Sequence, residues 1–379
     1  MRSGFEAEGQ TVNLTLSTEQ TQLKDSVARF AAAHGVHGAL VGEDARATDF
    51  RPELWRQMAE LGWLGAGLSE EEGGFGGGPV ETMVVLEEAG RGLLPEPLLE
   101  AAIAARILAA TRPAGDLLAG IVGGEELVVP AFGDARAGGA ATAHLAGDGA
   151  GLTLSGVARL VPAAAHAGRF IVSCAAGDGA ALVVVAADAV GVEIEAFRTM
   201  DGRGAATVSF NGVAVAQKDV LARGEDARAA LDIGRDVALA ALCAEVTGIA
   251  AFLFEQTLDY LKTRRQFGQP IGRFQALQHR MADMFVALEE ARSLTVMAAV
   301  KLASGDPAER AYALSAARIG AVSRALHVAR EAIQLHGGVG MTQELPIGAG
   351  FKRIKALELM FGGENHHLDR MTASEPAAV

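Results

Sequence analysis

The chain has little sulfur, few aromatics and no surplus of positive charge. Two of its 379 residues are cysteine, and aromatics make up 5%. Cys174 and Cys243 lie in apolar runs. They read as small buried hydrophobes, which excludes a disulfide framework or a cysteine-based metal site. The formal net charge is −13. A binder of polyanions carries a basic face, so nucleic acid is not an expected partner. No uninterrupted apolar run of about 20 residues occurs, and the first 20 residues are polar. The expectation is a soluble, cytoplasmic protein with no membrane span and no signal peptide. The Gly-rich run 73–78 lacks the Lys-Ser/Thr of a P-loop and does not follow a strand.

Half of the chain is hydrophobic. Alanine is frequent, which fits helices packed through small residues. The length is too great for one small core, so two or three domains are expected. The pattern divides the chain in three. Residues 1–124 read as an N-terminal helical domain. Ser17 and Gln20 have capping-box spacing ahead of Leu23, Val27 and Phe30, and Trp55, Met58, Leu61 and Leu64 form a second stripe. Residues 125–221 read as a central β-barrel-like domain of six to eight strands, with Asn211-Gly212 as a hairpin-type turn. Residues 222–379 read as a C-terminal four-helix bundle. Phe274, Leu277, Met281, Met284 and Leu288 form one seam, and Ile319, Val322, Leu326, Ala329 and Ile333 another. Residues from Met371 on read as a frayed tail. The fold class is α+β and multidomain.

Two segments carry chemistry. The first is YLKTRRQFGQPIGRFQALQHRMAD (260–283), with Lys262, Arg264 and Arg265 beside Phe267. The second is QLHGGVGM (334–341), whose glycines let backbone N–H groups approach a ligand. Both sit at helix ends, where anions are favoured. Together they point to an extended, phosphorylated cofactor. The basic groups at 262–265 and 352–355 are where an acidic protein would hold a small anion. Taken separately, each segment also fits an ordinary helix cap or turn. His366-His367 lack accompanying ligands at metal spacing, so a helix-capping or cofactor-contacting role is the better reading and no metal is expected.

Helices, a β domain and a long bundle containing these two segments resemble the acyl-CoA dehydrogenase family over essentially the whole chain. The resemblance is most specific at 260–284 and 334–342. The segments 59–99, 241–248 and 351–368 are similar to the small-subunit type found in pimeloyl-CoA dehydrogenase. They are also similar to heteromeric subunits of dicarboxylate, aromatic and steroid side-chain degradation. The resemblance implies FAD held between the β domain and the bundle. Arg264 and Phe267 would meet the pyrophosphate and adenine of an FAD held largely by a neighbouring subunit. Phe274 and Gln275 would line the same crossing, and Gln334, Gly337 and Gly338 would receive the adenosine end. Partners implied are an acyl-CoA, an electron-transfer flavoprotein or similar acceptor, and a second chain in a homo-oligomer or heteromer.

The sequence departs from the family at the catalytic carboxylate, which follows an aromatic residue near the C-terminus. Here Phe361 precedes Gly362. The backbone N–H of Gly362 remains available for the thioester oxygen, but the base position is vacant. A second family location near Ala238 also lacks an acid. Glu364 and Asp236 are the nearest acids in sequence to the two positions. Glu364 is a candidate base, although that position usually touches the cofactor. The strands that carry hydroxyls and a Trp beside the flavin in typical members read VVPAFGDARAG (128–138) and GVARLVPAAA (156–165), with Leu160 and Pro162. Three readings stay open: a dehydrogenase with an unconventional base, a half-site subunit assembling with a catalytic homologue, and a flavin oxidase on the same fold.

Overall fold

The computed structural model describes residues 15–35, 50–111, 115–133, 141–147, 151–177 and 179–374. Residues 134–138 of the 128–138 stretch and 375–379 of the expected tail lie outside the described residues. The first region holds helices α1 (Thr18–His34), α2 (Pro52–Glu60), α3 (Pro79–Arg91), α4 (Leu98–Ala110) and α5 (Gly115–Val122). The capping box that opens α1 is formed. Gln20 N–H donates to Ser17 Oγ at 3.2 Å, and Ser17 N–H donates to Gln20 Oε1 at 2.9 Å.

Helix α6 (Gly224–Thr263) is the axis of the molecule. Every residue from 236 to 253 is buried. By length and composition it could cross a membrane, yet nearly all of its apolar stretch is covered by this chain. A helix apolar all round belongs in a core. Helices α3, α4, α7 (Gln275–Leu302) and α8 (Pro307–His336) all pack on it. The α3–α6 crossing depends on glycine. A Cβ on Gly248 would overlap the Glu87 carbonyl oxygen, and one on Gly90 the Glu245 carbonyl.

Between the helical regions lie β1 (Val128–Ala131), β2 (Ala143–Ala146), β3 (Leu152–Pro162), β4 (Arg169–Ala176), β5 (Gly179–Ala186), β6 (Val192–Arg198), β7 (Gly204–Val215) and β8 (Val220–Arg223). They form one mixed sheet in the order β6-β7-β3-β2-β4-β5-β8, with β1 parallel to β4. Asn211-Gly212 is not a hairpin turn. Strand β7 runs through it, pairing Phe210 with Gly156 and Val213 with Leu154. Two residues of β7 thus oppose Ser155 alone. The positive φ of Gly212 (66°) serves this bulge, and its N–H donates to Ser155 Oγ at 3.1 Å. Local sequence cannot separate a bulge from a turn, because both use a small residue at positive φ.

In the bundle, Met281, Met284 and Leu288 of α7 and Val322, Leu326 and Ala329 of α8 are buried at the seam. Two shorter helices follow, α9 (Ile347–Glu358) and α10 (Glu364–Ala373). Residues 371–373, expected to fray, are the last turn of α10.

Candidate cofactor and active site

At the C-terminal end of α6 the chain turns through a minimal hairpin, β9 (Arg265–Gln266) and β10 (Gln269–Pro270). Arg264 is the helix C-cap residue. Its side chain is exposed and has no ion pair among the described residues. Phe267 stands at the hairpin tip with φ 54° and 88% of its surface exposed. Phe274 meets it edge to face at 6.0 Å, and Gln275 opens α7 with its side chain exposed. A β-carbon residue at positive φ, carrying an aromatic ring into solvent, is unfavourable in isolation.

The second segment ends α8. Gln334, Gly337 and Gly338 are exposed, and Gly337 has φ 65°. Nothing lies within 4 Å of where a Cβ would stand on either glycine. The two segments meet in one chain. The Tyr260 ring stacks on His336 at 4.4 Å, and Tyr260 Oη donates to the His336 carbonyl at 3.4 Å. Cationic arm, aromatic tip and open glycine backbone therefore share one end of the bundle. The other expected cationic patch, 352–355, is different. Arg353 is buried and ion-paired, and Lys355 pairs with Glu358. Arg353 and Lys355 are therefore already paired within the chain, and Lys352 is the exposed cation of that stretch.

The α9–α10 turn holds Phe361 and Gly362, where the sequence leads one to expect the base position. Phe361 has φ 58° and Gly362 φ 96°, and a Cβ on Gly362 would overlap the His366 ring. The Gly362 N–H makes no hydrogen bond among the described residues. Glu364 is the first residue of α10, exposed and without an ion pair among the described residues. Asp236 is 1% exposed and held by Arg310 Nε at 3.2 Å and Arg370 Nη2 at 2.6 Å. Two guanidiniums fix it as an anion that ties α6 to α8 and α10, which is a poor arrangement for a proton acceptor.

A cavity of about 590 Å³ opens between the first region, the sheet and α9. Its walls include Phe197, Met200, Leu160, Pro162 and Met360. Leu160 has φ 56°, and Pro162 ends β3. A second cavity, next to Phe361, measures only about 30 Å³ and shares Leu160, Pro162 and Met360 with the first.

Two family models match the chain: the acyl-CoA dehydrogenase N-terminal domain over residues 17–111 and the acyl-CoA dehydrogenase C-terminal domain over residues 225–375. The chain belongs to the acyl-CoA dehydrogenase family. Acyl-CoA dehydrogenase IpdE2 of Mycolicibacterium smegmatis is 30% identical over 94% of this chain and 99% of that protein. A chain of a variant of the Tcur3481–Tcur3483 steroid ACAD superposes with TM-score 0.85 at 32% identity, covering 95% of this chain and 98% of that one. A chain of the ChsE4–ChsE5 complex from Mycobacterium tuberculosis gives 0.85 at 27% identity, over 97% and 100%. Membership makes this a flavin oxidoreductase acting on CH–CH groups, with FAD as cofactor.

Sequence reasoning missed the most concentrated charge in this dehydrogenase fold. Arg353 of α9 grips Glu245 of α6 with both arms, at 2.7 and 3.1 Å, and reaches Asp201 at 3.1 Å. Arg203 adds contacts to Glu245 at 3.4 Å and to the Leu94 carbonyl at 2.8 Å. These residues are scattered over some 150 positions, so no local pattern announces them.

Among the described residues no group of three His, Cys, Asp or Glu that could hold a metal converges, at His366-His367 or elsewhere. His367 is 1% exposed, with Nε2 donating to the Phe361 carbonyl at 3.0 Å and Nδ1 3.3 Å from Ser315 Oγ. It pins the turn that carries Gly362. Burial, with Arg318 next, pushes its pKa from 6.5 down to about 3. The folded state then binds fewer protons than the unfolded chain between those values. Its contribution is full above pH 6.5 and declines as pH falls toward 3, by at most about 1.4 kcal/mol per pH unit. Urea midpoints followed over that range should fall more steeply for the wild type than for His367→Gln; parallel curves would remove His367 from the acid response.

Proposed function

We propose that the chain is one subunit of a heteromeric FAD-dependent acyl-CoA dehydrogenase, acting in the α,β-dehydrogenation of an acyl-CoA thioester whose α-proton is taken by a carboxylate of a homologous partner chain. Gly362 carries this reading: where the family resemblance puts the base it has φ 96° and no room for a Cβ beside the His366 ring, Asp236 is already paired with two arginines, and Glu364 is exposed on α10. The names of its relatives support the assembly, since two are solved as two-component complexes or variants of one.

In the family, FAD supplies the hydride acceptor for the β-hydrogen. This chain's share is binding and polarisation. Arg264 offers a planar fork to a diphosphate, Phe267 with Phe274 and Gln275 a surface for the adenine, and Gln334, Gly337 and Gly338 open backbone to the adenosine. The Gly362 N–H is free to donate to the thioester oxygen, which acidifies the α-carbon. Electrons leave to an electron-transfer flavoprotein or similar acceptor, and the enzyme works in the cytoplasm. A steroid-derived acyl-CoA is the first substrate to test, because one relative at 32% identity is a steroid ACAD.

The test is to purify the chain alone and together with a homologous chain that carries the carboxylate. Alone it should show no acyl-CoA-dependent bleaching of flavin. The pair should be yellow and turn over, and should stop when the partner's carboxylate is changed to its amide. Ordinary turnover by this chain alone would overturn the proposal, and Glu364→Gln would then locate its base.

A further inference from the structure

Helix α4 carries a carboxylate into the interior. Glu100 is 4% exposed and lines both the large cavity and the small one. It has no ion pair among the described residues. The nearby charges already balance. Arg353 and Arg203 are paired with Glu245 and Asp201, two cations with two anions. His166 lines the large cavity, and Arg159 and Arg235 the small one, with no ion pair to Glu100 among the described residues. The rest of both cavity walls includes Leu160, Pro162 and Met360, whose side chains solvate no charge. A third anion here would be buried without a counter-ion, which is costly unless the group takes up a proton. Burial accordingly raises the Glu100 pKa, despite the pull of Arg353.

We propose that Glu100 is a neutral carboxylic acid that donates a hydrogen bond to a carbonyl-type oxygen of a ligand held in the large cavity. A protonated carboxyl is the one state of this side chain that can donate, and in a water-poor site such a donor selects strongly for a ligand with a matching acceptor. Two ligands of the proposed reaction carry that chemistry, the flavin ring and the acyl thioester. The proposal goes beyond the functional reading above and does not depend on which chain supplies the base.

Infrared difference spectroscopy on the full chain, or on its complex, reads the proton directly. The unligated protein at neutral pH should show a protonated carboxyl carbonyl band that is absent in Glu100→Gln. The band should move to lower frequency when FAD alone or octanoyl-CoA alone is added, and the probe that moves it identifies the acceptor. For that probe, Glu100→Gln, which keeps a donor, should bind within about threefold of wild type, and Glu100→Ala about tenfold or more weakly. Should the alanine variant not fold, the band and the glutamine variant decide. Absence of the acid band at neutral pH would overturn the proposal whatever the reaction proves to be. A band that neither probe moves would overturn it as well.

Discussion

Arg353→Ala should lower the unfolding free energy by about 3–5 kcal/mol, the range for breaking a buried ion pair by removing one partner. The side chain ties α9 to α6 and to the segment ahead of β7 through Glu245 and Asp201. Burial alone would raise both carboxyls; Arg353 and Arg203 override it and hold them below the usual range. Without Arg353, two buried carboxylates would share Arg203, itself penalised by burial. Arg353→Lys should recover only part of the loss, because an ammonium cannot grip Glu245 with two parallel bonds. The paired change Arg353→Met, Glu245→Gln should be milder than Arg353→Ala, since it removes one charge of each sign and leaves Arg203 beside Asp201. Urea unfolding followed by circular dichroism measures all three. A loss below about 1 kcal/mol for Arg353→Ala would show that the cluster is solvated and marginal.

The helices were legible because their apolar residues recur at helical spacing. The seams at Met281–Leu288 and Val322–Ala329 bury as read, and the Ser17 box caps α1. Family and cofactor were legible because Arg264–Phe267 and Gln334–Gly338 are contiguous. What escaped is what chain-distant residues build together. Glu100 sits in an apolar helix, where a lone acid reads as a solvent-facing position. Only the sheet and α9 folding over it make it an interior group. Arg353 was read as part of an exposed basic patch for the same reason: which face of α9 turns inward depends on Glu245, over 100 residues away. At Gly362, where the sequence leads one to expect a lost carboxylate, the structure adds a barrier to placing one. The glycine's positive φ and the His366 ring make Gly362→Glu a strained substitution.

Arg264→Ala should weaken FAD retention by about 1.5–3 kcal/mol, roughly 10- to 150-fold in dissociation constant, with little change in stability. The two readouts separate for a structural reason. The Arg264 guanidinium has no ion pair among the described residues, so the folded chain loses no such contact when it is removed. The helix end it caps is held by the backbone, Arg264 N–H donating to the Tyr260 carbonyl at 2.8 Å, which alanine preserves. A diphosphate at the hairpin would lose a charge-assisted, two-pronged bond. Lysine in place of Arg264 should fall between the two, keeping charge but not the fork. The measurement is flavin release from the assembled complex on dilution, read beside the melting temperature of the flavin-free complex, because bound flavin itself raises melting. Melting unchanged with flavin lost supports a ligand-facing arginine at a shared cofactor. Flavin retained in full in the alanine variant would remove Arg264 from the cofactor site. Melting and flavin falling together would make Arg264 a subunit-contact residue, because a cross-interface ion pair would then hold the assembly itself.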